Sequence, residues 1–162
     1  MKKIPLTRKM VALVDDDDFV RVSRRKWHAR RASNKKDWYA SCVEYAPKSY
    51  LGAKRQTIQM ANFILQPGLG YEVDHINGDG LDNRKSNLRV CTRAQNVRNV
   101  RAYGVSGIKG AYWQRGAWVS RIQAGDIQYY LGRHKTKEEA GAAYDRKARE
   151  LYGAFARTNG LG

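Results

Sequence analysis

Asp74 to Asn96 reads D-H-I-N-G-D-G-L-D-N-R-K-S-N-L-R-V-C-T-R-A-Q-N. A carboxylate and an imidazole stand side by side at its start, Asp74 and His75. Glu72 to Ile76 reads as a strand, and Asn77-Gly78-Asp79-Gly80 is strong turn chemistry. The stretch from Asn77 to Asn87 is too long for a tight hairpin turn, so it predicts an Ω-like loop. Leu88 to Cys91 is the returning strand. Thr92-Arg93-Ala94-Gln95 matches a capping box, Thr92 at the N-cap and Gln95 at N3. That puts Asn96 in the first turns of a helix running to about Val100. The order is strand, loop, strand, helix, and the helix N-terminus is friendly to phosphate.

These side chains suit one chemistry. A carboxylate can hold a divalent cation, an imidazole can take a proton from water, and amides can orient the parts, which together can hydrolyse a phosphodiester. Hard oxygen ligands suit Mg²⁺, which keeps several waters and shares substrate phosphate oxygens. An imidazole neutral near pH 7 suits a base. His75 alone would read as structural; its company of Asp74, Asn87 and Asn96 makes it a candidate. Asn77, Asp79, Asp82 and Asn83 read as loop-shaping side chains. Neighbours on a regular strand point to opposite faces, so Asp74 and His75 can serve one phosphate only where the strand bends or ends.

The chain has 162 residues and a net charge of +16, which favours a polyanionic partner. Nucleic acid is the first candidate and an anionic membrane surface the second. No apolar stretch is long enough to span a bilayer, no signal-peptide core follows Met1, and no long basic amphipathic helix argues for adsorption. Residues 1–100 carry 20 basic and 10 acidic side chains, and residues 101–162 carry 11 and 5, so both parts are basic, +10 and +6. Two cysteines, Cys42 and Cys91, cannot build a disulfide framework, and three histidines at no ligand spacing build no structural zinc site. Free thiols point to a reducing, cytoplasmic setting.

The N-terminal third reads as an α+β module. Met10 to Val14 is a compact apolar run. The aspartates 15–18 read as a helix N-cap with first-turn carboxylates, in preference to a second metal site. Trp38 to Tyr45 and Gln56 to Met60 read as strands, Phe63 to Leu65 is apolar, and Gln66 to Gly70 is a turn. A boundary falls near Arg101 to Ser106. Beyond it Ile108–Gln114, Ala117–Gln123 and Gln128–Arg133 read as three strands. Thr136 to Glu139 is a second capping box, and a helix follows from Lys137 to Tyr152, ended by Gly153. The expectation is an α+β chain of two domains: residues 1–100, and residues 104–162 as a three-stranded antiparallel sheet packed on one helix.

At V-D-H-I-N-G (73–78), D-N-R-x-x-N-L-R (82–89) and C-T-R-x-Q-N-x-x-N (91–99) the chain resembles the HNH homing endonucleases of phages, in the variant whose third motif residue is Asn. The I-P-L-T, V-A-L-V-D-D and K-W-H-A segments resemble the start of that family. Residues 104–162 resemble an Apetala-two (ethylene-response-factor) DNA-binding domain, on Ser106 to Gly110, Trp118, Leu131-Gly132, the Thr136 to Ala140 start, Ala143-Tyr144-Asp145 and Ala156-x-x-Asn159. The first resemblance implies a ββα-metal HNH module that cuts double-stranded DNA to 5′-phosphate and 3′-hydroxyl ends, in the host cytosol if phage-encoded. It implies that Asp74 and Asn96 bind one Mg²⁺ or Mn²⁺, that His75 is the general base, and that Asn87 hydrogen-bonds the imidazole. One site per chain favours a monomer that nicks. Many relatives carry Met-His-Arg where this chain has Met60-Ala61-Asn62, so phosphate clamping there would be weaker, or would fall to Lys54 or Arg55. A non-catalytic DNA-binding protein with a decayed nuclease module is the alternative reading. The second resemblance places Lys109, Tyr112, Arg121, Gln123, Gln128 and Tyr130 at DNA-contacting positions, where Arg can read guanine and Gln adenine.

Overall fold

The structure is a computed structural model that describes residues 1–32, 37–45, 55–98 and 106–161. Lys54, the helix expected beyond Arg98 and most of the expected linker (residues 101–105) lie outside the described residues. Two compact units divide the chain, Met1–Arg93 and Ala94–Gly162. The architecture is α+β.

The first unit opens with an antiparallel hairpin of β1 (Lys2–Pro5) and β2 (Val11–Val14). Its connection holds one 3-10 turn, Thr7–Lys9, in which Arg8 and Lys9 both take left-handed backbone, φ 61° and 57°. The apolar run predicted at Met10–Val14 is thus β2. Helix α1 (Asp16–Ser23) starts from Asp15 at the N-cap, with Asp16, Asp17 and Asp18 in its first turn, where carboxylates complement the helix dipole. Strands β3 (His28–Arg31), β4 (Trp38–Tyr45) and β5 (Arg55–Gln59) form an antiparallel sheet in that order. The chain turns directly from β5 into helix α2 (Met60–Leu65), so Met60 opens a helix where a strand end was expected. Strands β6 (Tyr71–His75) and β7 (Leu88–Thr92) close a second hairpin around the 76–87 loop. All these elements share one core, built on Ile4, Val14, Val22, Trp27, Ala40, Met60, Ile64, Val73 and Leu88. Ala61 is buried in it, while Asn62 beside it is exposed. Helix α3 (Arg93–Arg98) follows β7 without a break, as the Thr92 capping signal predicts.

The second unit holds β8 (Ala111–Gln114), β9 (Ala117–Ala124) and β10 (Ile127–His134) in the order β10-β9-β8, followed by helix α4 (Lys137–Tyr152). The capping box is formed: Thr136 Oγ1 accepts from the Glu139 amide at 3.1 Å, and Glu139 Oε2 accepts from the Thr136 amide at 3.4 Å. The core joins Ile122 of β9 to Tyr144 and Ala148 of α4. Small residues are needed for this approach. At Gly110, φ 81°, a Cβ would collide with the Tyr144 ring. The fully buried Asp145 accepts hydrogen bonds from the Asn159 backbone and side chain and from the Leu161 amide, tying the C-terminal segment to the helix.

Candidate active site

The first unit builds its site from the loop between β6 and β7. Asn77, Asp79, Asp82 and Asn87 convert that loop into a cross-linked body, because short polar side chains satisfy loop backbone that no ladder can reach. Asp79 N donates to Asn77 Oδ1 (2.7 Å), Leu81 N to Asp79 Oδ1 (3.0 Å), and Asn77 Nδ2 to Asp82 Oδ2 (3.1 Å). Asn87 staples the two ends: its Oδ1 accepts from Asn77 N (3.0 Å) and its Nδ2 donates to the Asp82 carbonyl (2.8 Å). Arg84 grips Asp82 with Nε and Nη2, each at 2.7 Å, and holds that carboxyl below the usual range.

The loop is then fixed to the N-terminal hairpin. Leu13 N donates to Leu81 O and Asn83 N to Leu13 O, both at 2.8 Å, a strand-like pairing along the free edge of β2. Lys85 N donates to Asp15 Oδ2 (2.7 Å), and the Lys85 ammonium pairs with the buried Asp18 (2.8 Å), which also binds Arg21 (2.7 Å). Asp15 and Asp18 are therefore anchors for the loop. Gly80 lies against the Trp38 carbonyl and the Tyr39 ring, where any side chain would clash.

This docking delivers Asn83, 1% exposed, to the imidazole. Asn83 Nδ2 faces the Gly80 carbonyl at 3.5 Å, so its Oδ1 faces His75 Nε2, at 3.3 Å. His75 is 6% exposed, and the Tyr39 ring packs 5.9 Å from its own. Burial pushes the imidazole below its ordinary pKa, outweighing the Asn83 bond and the charges of Asp74, Asp79 and Asp82, which push it up. The residue expected at the imidazole was Asn87. In the structure the Asn87 amide bonds the Asn77 amide and the Asp82 carbonyl, and Asn83, read from sequence as loop-shaping, lies within hydrogen-bond distance of the imidazole.

Asp74 stands one residue before the end of β6, 5% exposed. Its cross-strand partner is Arg89, whose Nε and Nη2 both bind Asp74 Oδ2, at 2.8 and 2.7 Å. Strand alternation thus sends Asp74 to Arg89 and His75 to Asn83 and Tyr39, and β6 ends between them and the loop. Among the described residues no cluster of three His, Cys, Asp or Glu side chains could hold a metal ion. A single hard carboxylate fits a cation that keeps waters and shares substrate oxygens. Asn96 lies on α3, past the boundary of the first unit.

In the second unit, Arg121 pairs across β9–β10 with Tyr130, Gln123 with Gln128, and Tyr112 of β8 with Val119. Cross-strand partners share a face. Tyr112, Arg121, Gln123, Gln128 and Tyr130 therefore line one face of the sheet, opposite the one Ile122 turns toward α4. Tyr112, Gln123, Gln128 and Tyr130 are exposed, and Arg121 is bonded to Gln114 at 2.9 Å. Lys109 departs from that group. Its ammonium lies over the Tyr144 ring, 5.9 Å from the centroid, and burial lowers its pKa.

With this geometry in view, comparison with known proteins is specific. A family model described as HNH endonuclease matches residues 67–98, the span of the β6–loop–β7–α3 segment. Protein 3.8 of Escherichia phage T7 is 32% identical over 115 residues, covering 68% of this chain and 94% of that protein. An uncharacterized HNH endonuclease of Acanthamoeba polyphaga mimivirus is 29% identical over 145 residues, covering 87% of this chain and 74% of that protein. The chain belongs to the HNH endonuclease family. No helix among the described residues is long and apolar enough to cross a membrane.

Proposed function

We propose that this protein is a metal-dependent DNA endonuclease of the homing type, in which His75 is the general base and Asp74 and Asn96 hold the cation. What supports the reading most is the His75 environment. The Asn83 amide oxygen can only accept, so the contact requires Nε2–H and puts the basic lone pair on Nδ1. Burial keeps the ring neutral at neutral pH, ready to take a proton from water. Arg89 holds Asp74 by one carboxylate oxygen and fixes its direction. A divalent cation bound at Asp74 and Asn96 supplies charge neutralisation at the scissile phosphate. The products are 5′-phosphate and 3′-hydroxyl ends, and one site per chain suits a nick by a monomer. Residues 1–100 carry the chemistry. Residues 104–162 add affinity through the Tyr112–Arg121–Gln123–Gln128–Tyr130 face, acting through effective concentration on the same duplex.

The test is incubation of the purified protein with supercoiled plasmid and Mg²⁺, beside His75→Ala. Wild type relaxes the plasmid, excess EDTA stops it, and His75→Ala binds DNA with near-wild-type affinity but does not cut. A His75→Ala protein that cuts within a few-fold of wild type overturns the assignment. An inert wild type that still binds DNA supports a decayed nuclease module instead.

A further inference from the structure

One cluster of the first unit lies outside the site just described. Arg8 and Arg31 flank the Trp38 indole, their guanidinium carbons 5.6 and 5.0 Å from the ring centroid. With Arg30 and Ala29 they line an open cleft. Neither Arg8, Arg30 nor Arg31 forms an ion pair with any described carboxylate, whereas Arg21, Arg25, Arg84, Arg89 and Arg93 all do.

The backbone adds an independent observation. Arg8 and Lys9 are consecutive non-glycine residues in the left-handed region, a conformation that persists only where the surroundings impose it and that clusters at functional sites. The surroundings here are specific. Ala29 N donates to Thr7 Oγ1 (3.0 Å) and Leu6 N to Met10 O (2.9 Å), so the turn is clipped both to itself and to β3.

The register links this cluster to the imidazole. Strand β3 is an edge strand. Arg31 pairs across to Trp38, on one face; Arg30 pairs with Tyr39, on the other. Tyr39 is the residue that packs on His75, and the Trp38 carbonyl lies against Gly80 of the catalytic loop. Cations therefore run from Arg8 and Arg31, over the β3 edge by Arg30, to the side of the sheet where His75 lies.

We propose that Arg8 and Arg31, ordered by Trp38, together with Arg30 at the β3 edge, form a phosphate-binding track for the backbone of duplex DNA, flanking the scissile position. Guanidinium groups stacked on an indole lose little freedom when their N–H edges meet phosphate oxygens. A planar fork suits phosphate geometry better than an ammonium does. Contacts to phosphate contribute affinity and carry no sequence information of their own. The choice of duplex DNA rests on the nuclease reading above; the binding of a polyphosphate backbone does not.

The test uses the full chain and a fluorescently labelled random-sequence duplex, with anisotropy recorded against salt concentration. Each phosphate contact adds about 0.9 to the slope of log affinity on log salt. The double variant Arg8→Ala/Arg31→Ala should flatten the slope by roughly two and weaken binding by roughly tenfold per contact near 0.1 M salt. Arg8→Lys keeps the charge but loses the planar stack and should fall between. Arg8→Gly relieves the left-handed backbone, so its melting temperature should hold or rise while binding weakens. A purely structural Arg8 gives the reverse, a lower melting temperature with unchanged binding, and that result overturns the proposal. Unchanged slopes in the double variant overturn it as well. Cleavage by His75→Ala would sink the nuclease reading yet leave these slopes untouched, so the two failures are distinguishable.

Discussion

Replacing Asn83 with alanine isolates the contact that geometry assigns and motif logic does not. The amide oxygen is the hydrogen-bond partner of His75 Nε2, and the amide's other bond, to Gly80 O, is long at 3.5 Å. Asn83→Ala therefore removes little besides the imidazole's partner. It leaves Nε2–H in a site only 6% exposed, and an unmet buried donor costs about 1–3 kcal/mol. Lost orientation of a reacting imidazole typically lowers activity by about 10- to 100-fold. At about 1.4 kcal/mol per decade that range is roughly 1.4–2.8 kcal/mol of transition-state stabilisation, in accord with the cost of the unmet donor. DNA affinity should not change, because Asn83 is buried and its side chain serves the ring. Asn87→Ala should behave differently: it unpins the loop ends, lowering the melting temperature along with the rate. The assay is single-turnover plasmid nicking with gel-shift affinity and thermal melts on the same preparations. If Asn83→Ala nicks at the wild-type rate while Asn87→Ala loses activity at unchanged stability, the imidazole belongs to Asn87 and the geometric argument is wrong.

Gly80→Ala should lower both melting temperature and nicking rate, since a methyl group meets the Trp38 carbonyl and the Tyr39 ring and overpacking costs about 1–3 kcal/mol; unchanged melts would show that the loop yields freely. Arg89→Ala strips a buried carboxylate of its guanidinium, which should destabilise the fold by about 3–5 kcal/mol. Added Mg²⁺ should restore part of that loss, and a melt indifferent to both changes would refute the role. For Asp82, Arg84 lowers the folded-state pKa beneath the ordinary carboxylate value, so its stabilisation is present above that value and is lost as pH falls through it. Acid melts should accordingly show a shallower fall below pH of about 4 for Asp82→Asn than for wild type; coincident curves would contradict the pairing.

Much of the fold is legible along the chain. Trp38 to Tyr45 carries enough aromatic and β-prone residues to mark β4 to the residue, and the Thr136–Glu139 box marks the start of α4. Strands β1 and β3 are not legible. K-K-I-P and H-A-R-R each place one buried side chain among exposed ones, too short a pattern to show period two. Asp74 and His75 are legible because they are adjacent and followed by turn chemistry. The Asn83 contact is not. Asn77, Asn83 and Asn87 are alike as turn formers, and which one meets the imidazole depends on how the loop docks on β2, through bonds spanning 70 positions such as Asp15 to Lys85. No local pattern encodes that distance.

Those same bonds bear on how the first unit holds its motif residues. The motif residues span 74–96, yet the loop that sets the His75 environment has no core of its own. It is held by the Leu13 backbone, by Asp15 and Asp18 on the N-terminal side of α1, and by the Trp38–Tyr39 step of β4. Val73 and Leu88, which bracket the site on β6 and β7, are buried in the core that contains Ile4, Val14 and Met60. A β6–loop–β7 hairpin cut away from these elements would lose its apolar face, and an isolated two-stranded hairpin is marginal in water. The ordering of the Asn83 amide would go with it, since Asn83 N is bonded to Leu13 O rather than within the hairpin. The described residues among 1–65 thus supply the surfaces against which a polar, glycine-rich loop acquires its conformation.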